Sequence, residues 1–223
     1  LYGRDFNATA TRVGGVGADA FVGTTAADVL IGGAGDDLLD GRGGGDALTG
    51  GAGDDVLVYA ADARRLSGDA GTDTLRIDGA DTLLDLTGDI ARRLEGFERI
   101  DLRGSGNHQV TLNPLALLNL STSTNLLRID GDTGDAVIAG GGWLDAGAIL
   151  EQGTTYQRYI QGEAELRVAL SVDRGGVGVV GQWLDARGPS RALEGGAGDD
   201  FYLVDDAQDS VSEANGAGLD TVR

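Results

Sequence analysis

The sequence predicts an all-β protein built from short strands that gain a core only by stacking on one another. Two observations predict it. Residues 14–58 divide without a gap into five nonapeptides: GGVGADAFV, GTTAADVLI, GGAGDDLLD, GRGGGDALT and GGAGDDVLV. Each opens on Gly, carries Asp at its sixth position (Asp19, Asp28, Asp37, Asp46, Asp55) and a large apolar residue at its eighth (Phe21, Leu30, Leu39, Leu48, Leu57). The chain also holds 40 glycines against two prolines, with no collagen period.

The physics of one unit follows from its residues. Gly tolerates positive φ and close backbone approach, so the first half is a tight turn. The second half is a three-residue strand whose eighth-position side chain points to one face. Three residues cannot bury a core alone, so neighbouring units must supply it. The turn presents carbonyls, one carboxylate and no soft ligand, an irregular oxygen cage that suits calcium better than magnesium.

The pattern G-G-x-G-x-D-x-U-x is met in full by 14–22, 32–40 and 50–58, and it resembles the RTX, or haemolysin-type, calcium-binding repeat. Unit 23–31 departs from it at Thr24 and Ala26, and unit 41–49 at Arg42. The resemblance implies a parallel β-roll in which two nonapeptides make one right-handed turn. Loops of units n and n+2 then stack on the same side with a calcium ion between them. One edge is then lined by Asp19, Asp37 and Asp55 with Gly15, Gly17, Gly33, Gly35, Gly51 and Gly53. The other is lined by Asp28 and Asp46 with Gly44. Both degenerate units fall on the second edge, whose site is the weaker expectation.

The rest of the chain follows in order. Residues 1–13 have no nine-residue phase and read as a first strand or a cap; Asn7-Ala8-Thr9 is formally a glycosylation sequon. YAADARRLS (59–67) fills a turn on the second edge, with Arg64 where Asp belongs, which disfavours an ion there. GDAGTDTLR (68–76) matches again, and Gly71 and Asp73 extend the first edge. In 77–191 the strict nine is lost and short β-type segments recur at 83–87, 99–103, 109–113, 126–130 and 136–139. Pro114–Leu120 reads as a short helix with Pro in its first turn. Residues 156–161 and 163–169 read as a hairpin about Gly162. Residues 131–135, GDTGD, read equally as a degenerate calcium turn or a plain one. Phase returns in GGAGDDFYL (195–203), with Gly196, Gly198 and Asp200, and continues through Asp209 to Asp220. Asp200 and Asp220 fall on one edge of a second short roll and Asp209 on the other. The expected divisions are therefore 1–76, an N-terminal roll; 77–194, a β-rich domain; and 195–223, a C-terminal roll running beyond Arg223 in a longer chain.

A net charge of −19 disfavours nucleic acid and anionic membrane as direct partners. No apolar run is long enough for a membrane-spanning helix. With no Cys, metal can supply stability that disulfides give other secreted proteins. His108 is the only histidine and reads as a loop residue; it lacks the partners of a nucleophile–base pair or a zinc site. Asp36-Asp37, Asp54-Asp55 and Asp199-Asp200 are paired carboxylates, as a glycoside hydrolase needs, but carboxylates on a metal are poor general acids. Trp143 and Trp183 share a Trp-Leu-Asp-Ala pattern and read first as packing residues, second as a sugar platform.

The sequence thus points to a non-enzymatic, calcium-binding structural or adhesive segment holding about five ions by the stacking of the repeat. The resemblance implies a large secreted or cell-surface protein of a Gram-negative bacterium, exported by type I secretion and folding on extracellular calcium. Its partners are then calcium and neighbouring surface-protein domains or cell-surface glycans. The alternative is a secretion and folding module of a secreted protease or lipase, or of a toxin.

Overall fold

A computed structural model describes residues 9–121, 123–187, 192–196, 198–213 and 218–223. Of the first strand or cap expected over 1–13, residues 1–8 lie outside these residues, as do 214–217 of the last repeat. The described chain is all-β with one short α-helix.

The repeats raise two parallel ladders. One runs Thr11–Val13, Val29–Ala34, Ala47–Ala52, Arg65–Ala70 and Leu94–Glu95; the other begins Ala20–Val22, Leu38–Asp40, Val56–Val58 and Thr74–Arg76. Partners stand two units apart: Thr11 faces Val29, Val29 faces Ala47 and Ala47 faces Arg65, as Ala20 faces Leu38, Leu38 faces Val56 and Val56 faces Thr74. Consecutive units therefore lie in different sheets. The eighth-position residue explains the arrangement. It is the second residue of its strand, and Leu30, Leu39, Leu48, Leu57, Leu66 and Leu75 are at most 1% exposed within one core. Full burial of each contributes roughly 1.5–3 kcal/mol.

The pairing continues past Arg76. Thr74–Arg76 pairs with Arg99–Asp101, which pairs with Leu126–Asp130, which pairs with Ala164–Ala169, all parallel. A companion parallel ladder joins Leu83–Asp85, Gln109–Thr111, Ala136–Glu151 and Asp173–Asp185. Buried Leu75, Ile100 and Ile129 continue the leucine column, and the same core reaches Val177. The strict nine is lost here because the loops lengthen, while the buried strand centre persists.

The helix Pro114–Leu120 lies where expected, with Pro in its first turn and the Asn113 side chain accepting the Ala116 N–H at 2.8 Å. The hairpin also holds: Thr154–Gln161 and Ala164–Ala169 pair antiparallel. The strand expected at 136–139 instead runs through Ala136–Glu151. The run Gly140-Gly141-Gly142 hides it in the sequence. In the structure these glycines fall among register shifts that let one strand serve both the hairpin and Asp173–Asp185.

Asp173–Asp185 carries the pairing on to Phe201–Leu203 and Thr221–Val222. Ala192–Glu194 pairs separately with Ser210–Ser212, and Ala186, Leu193 and Tyr202 form a second small core. None of the sheets closes on itself. Among the described residues no helix is long and apolar enough to cross a membrane.

Candidate metal edges

The sixth-position carboxylates form a column. Asp37 Oδ1 accepts the Asp19 N–H at 2.7 Å, Asp55 Oδ1 that of Asp37 at 2.8 Å, and Asp73 Oδ1 that of Asp55 at 2.8 Å. On the other edge Asp46 Oδ1 accepts the Asp28 N–H at 2.8 Å. The edges therefore divide the residues as the repeat predicts. Each Asp sits one residue before its strand, at the point where coils stack, so one oxygen of Asp28, Asp37, Asp46, Asp55 and Asp73 is held by the neighbouring coil.

The second oxygens separate the two edges. Asp37, Asp55 and Asp73 are at most 2% exposed, and the Oδ2 of each is buried with no hydrogen-bond partner among the described residues. Leaving a buried carboxylate oxygen unpaired is costly unless a cation or donor meets it. Burial, together with the charges of Asp37, Asp36 and Asp54, pushes Asp55 up to about 6 against the hydrogen bond it accepts. Burial and the charges of Asp55, Glu98 and Asp54 push Asp73 up to about 7. Asp28 is different. Burial raises its pKa, but the N–H groups of Ala10 and Thr24 and the Thr24 hydroxyl outweigh this and hold it below the usual range. Thr24, which breaks the glycine pattern, thus does for Asp28 what no residue does for Asp37. Burial first, then the charges of Asp28 and Asp62, raises Asp46, whose Oδ2 accepts a long bond from Gly43 at 3.3 Å.

The glycines set the other wall. Gly33, Gly35, Gly51, Gly53 and Gly71 have φ between +109° and +147°, the left-handed region that favours glycine. A β-carbon on Gly33 would lie 2.5 Å from the carbonyl oxygen of Gly15; one on Gly51 would overlap that of Gly33, and one on Gly71 that of Gly53. At the first position, a β-carbon on Gly32 would lie 2.6 Å from Gly50 O and overlap Asp37 Oδ2. Carboxylate and carbonyl oxygens of adjacent coils therefore face one small space. The first coil is more open: Asp19 is half-buried and its Oδ2 accepts the Gly15 N–H at 3.0 Å, while Gly17 lies under Gly35.

On the second edge Gly44 (φ +104°) stacks on Thr25 and Ala26 and donates to Asp62 Oδ2 at 2.8 Å. Arg64 places its guanidinium on Gly45 O at 2.7 Å, so a cation of the chain occupies that loop's carbonyl.

The C-terminal segment repeats the device. Asp220 Oδ1 accepts the Asp200 N–H at 2.9 Å, and Asp200 Oδ2 accepts the Gly196 N–H at 2.9 Å. A β-carbon on Gly198 (φ +110°) would overlap Val180 O. Asp200, Glu213 and Asp220 each bring one oxygen within 4.8 Å of the others, a cluster able to hold a metal ion. Asp209 lies apart, before Ser210–Ser212 in the other sheet, and its carboxylate accepts the Asp206 N–H at 3.1 Å. Glu213 was not legible as a site residue because it falls outside the sixth-position phase. The coil under Asp200 was also missed: the Gln182 N–H donates to Asp200 Oδ1 at 2.6 Å. The available signal was Leu184, two units before Tyr202, its partner in the ladder.

The remaining candidates fall into structural places. His108 is buried, 2% exposed, just before the strand Gln109–Thr111. Its Nδ1 accepts the Thr82 N–H at 3.1 Å, and its own N–H donates to Asp135 Oδ1 at 2.8 Å, so it holds the place of an Asp in the second ladder. Asp135 Oδ2 accepts the Asp132 N–H at 2.8 Å, leaving both its oxygens paired. Trp143 is buried and donates its indole N–H to Ala139 O at 2.9 Å. Trp183 stacks on Phe201 at 4.3 Å and lines a cleft with Asp145, Gln157 and Gln182.

Comparison with protein-family models, with curated proteins and with solved structures found no match to this chain. The donors described above, buried anionic oxygens with facing carbonyls and no sulfur or imidazole in the column, suit a hard cation.

Proposed function

We propose that this chain is a calcium-binding, non-enzymatic structural or adhesive segment of a large secreted or cell-surface protein, and that its repeats form a β-roll of the RTX kind. The observation that carries the reading is the column Asp37, Asp55 and Asp73, three buried carboxylates each with an oxygen that has no hydrogen-bond partner among the described residues. A bound calcium supplies positive charge and a coordination shell for those oxygens. Without it the stacked carboxylates repel; with it they tie adjacent coils, so binding energy becomes folding energy. Millimolar extracellular calcium matches the affinities typical of such modules, ~10⁻⁴–10⁻³ M. That coupling lets a chain remain extended during export and fold afterwards.

The test is a metal count. The chain is dialysed to equilibrium against millimolar calcium, and the metal it holds in excess of the dialysate is counted. About five ions per chain are expected from the stacking of the repeat, and magnesium in excess leaves that number unchanged because it demands a tight octahedron. A chain that retains no calcium, or one whose calcium is displaced by equal magnesium, refutes the reading.

A further inference from the structure

The carboxylate column does not end at the last nonapeptide. Asp73 donates its N–H to Glu98 Oε2 at 3.0 Å, the bond that Asp55 makes to Asp73 and Asp37 makes to Asp55. Glu98 is 2% exposed and lies in Leu94-Glu95-Gly96-Phe97-Glu98, which has no repeat pattern. The ladder explains how it reaches this place. Ser67 faces Glu95 and Thr74 faces Arg99, so the loop Gly68–Asp73 is matched by only Gly96, Phe97 and Glu98. Phe97 turns into the core, 0% exposed. The shortened loop is compensated by the extra methylene of Glu, which carries a carboxylate to where the Asp of a further repeat would stand.

A second observation points to a ligand. Asp73 is fully buried and its Oδ2 has no hydrogen-bond partner among the described residues. That oxygen is aimed at a cradle beside Gly68, where a β-carbon would lie 2.5 Å from Asp73 Oδ2 and overlap Gly96 O. Gly96 O thus stands to Asp73 as Gly50 O stands to Asp37. Gly96 has φ +68°, a conformation that a larger residue would adopt only with strain. Glu98 is braced from outside: its Oε1 accepts the Ser123 hydroxyl at 2.7 Å and, more weakly, that of Ser121 at 3.4 Å.

We infer that Asp73, Gly96 O and Glu98 form a further calcium site, closing the ion row at the junction between the repeats and the helix-bearing segment. The inference rests on the calcium reading above. It adds one ligand, Glu98, that the nonapeptide pattern does not contain. The site also has a structural consequence. Phe97 donates its N–H to Leu120 O at 3.0 Å, and Ser121 and Ser123 follow the helix. An ion on Glu98 therefore fixes the helix and its following turn to the last repeat.

The test uses the full chain. Glu98→Gln keeps an acceptor for the Asp73 N–H while removing the charge. It should bind one calcium fewer than wild type in the dialysis assay, with affinity at that site roughly tenfold weaker, as expected when a charged ligand leaves a calcium cage. A Glu98→Gln protein with wild-type stoichiometry and affinity overturns the inference. If that variant fails to fold, calcium-soaked crystals of the wild type decide. An anomalous peak contacting Asp73 Oδ2, Glu98 and Gly96 O is expected. Peaks between Asp37 and Asp55 or between Asp55 and Asp73, with none at Glu98, overturn the inference alone. No peak along the whole column overturns the calcium reading with it.

Discussion

At the scale of single residues, the difference between Asp37 and Asp28 decides how the two edges behave. Both are buried sixth-position carboxylates, yet Asp28 is satisfied by Ala10 and Thr24 while Asp37 keeps an unpaired oxygen. Asp37→Ala should therefore raise the calcium midpoint of folding more than Asp28→Ala; equal midpoints would remove the distinction between edges. The same orphaned oxygens set a pH dependence. Asp55 at about 6 and Asp73 at about 7 lie above the ordinary value, so the metal-free fold binds more protons than the unfolded chain between about pH 4 and 7. Its stability is greatest below that window and falls as pH rises through it. On the proposed calcium reading, a bound ion would hold both groups ionised and reverse the trend, since protons would then compete with it. Far-UV circular dichroism in chelator at pH 5 and pH 8, and urea melts of the calcium-loaded protein at both values, check this; more native signal in chelator at pH 8 than at pH 5 contradicts it. The sixth-position residues were legible because Asp recurs every nine residues. Glu98 and Glu213 were not, because each reaches its place through a loop of different length.

At the scale of elements, each coil needs a glycine where coils touch and a leucine where they face inward. Gly51 sits at φ +124° with Gly33 O against the place a β-carbon would take. Gly51→Ala should cost the calcium-loaded protein at least about 1–2 kcal/mol from the left-handed backbone alone, with the steric overlap adding to it. Leu48→Ala should cost about 2–5 kcal/mol, as cavities left by leucine in packed cores do; denaturant midpoints measure both. An unchanged midpoint for Gly51→Ala would show that the coils do not stack as closely as described. Strand identity was legible wherever the middle residue of three is large and apolar. The long strand Ala136–Glu151 was not, because its glycines carry no period and its pairing is set by the two partners it meets at once.

At the scale of the whole molecule, one sheet runs from Ala20–Val22 to Thr221–Val222, mostly parallel but with antiparallel pairs at the hairpin, through segments whose sequences share no repeat length. Pairing of Ile100 with Leu75 and Ile129 keeps the buried column while the connections grow to include a helix and a hairpin. Loop closure tightens only slowly with length, so such insertions cost little where the strand ends remain aligned. The sequence therefore reveals the coil where its period is short and conceals it where the loops vary. A chain of net charge −19 brings buried carboxylates into a column beside its apolar core. If calcium completes the fold, far-UV circular dichroism of the full chain will show a largely unfolded spectrum in chelator and a cooperative rise of β signal across a calcium titration in the ~10⁻⁴–10⁻³ M range; a native β spectrum that persists in chelator at neutral pH would show that the fold stands without the ion.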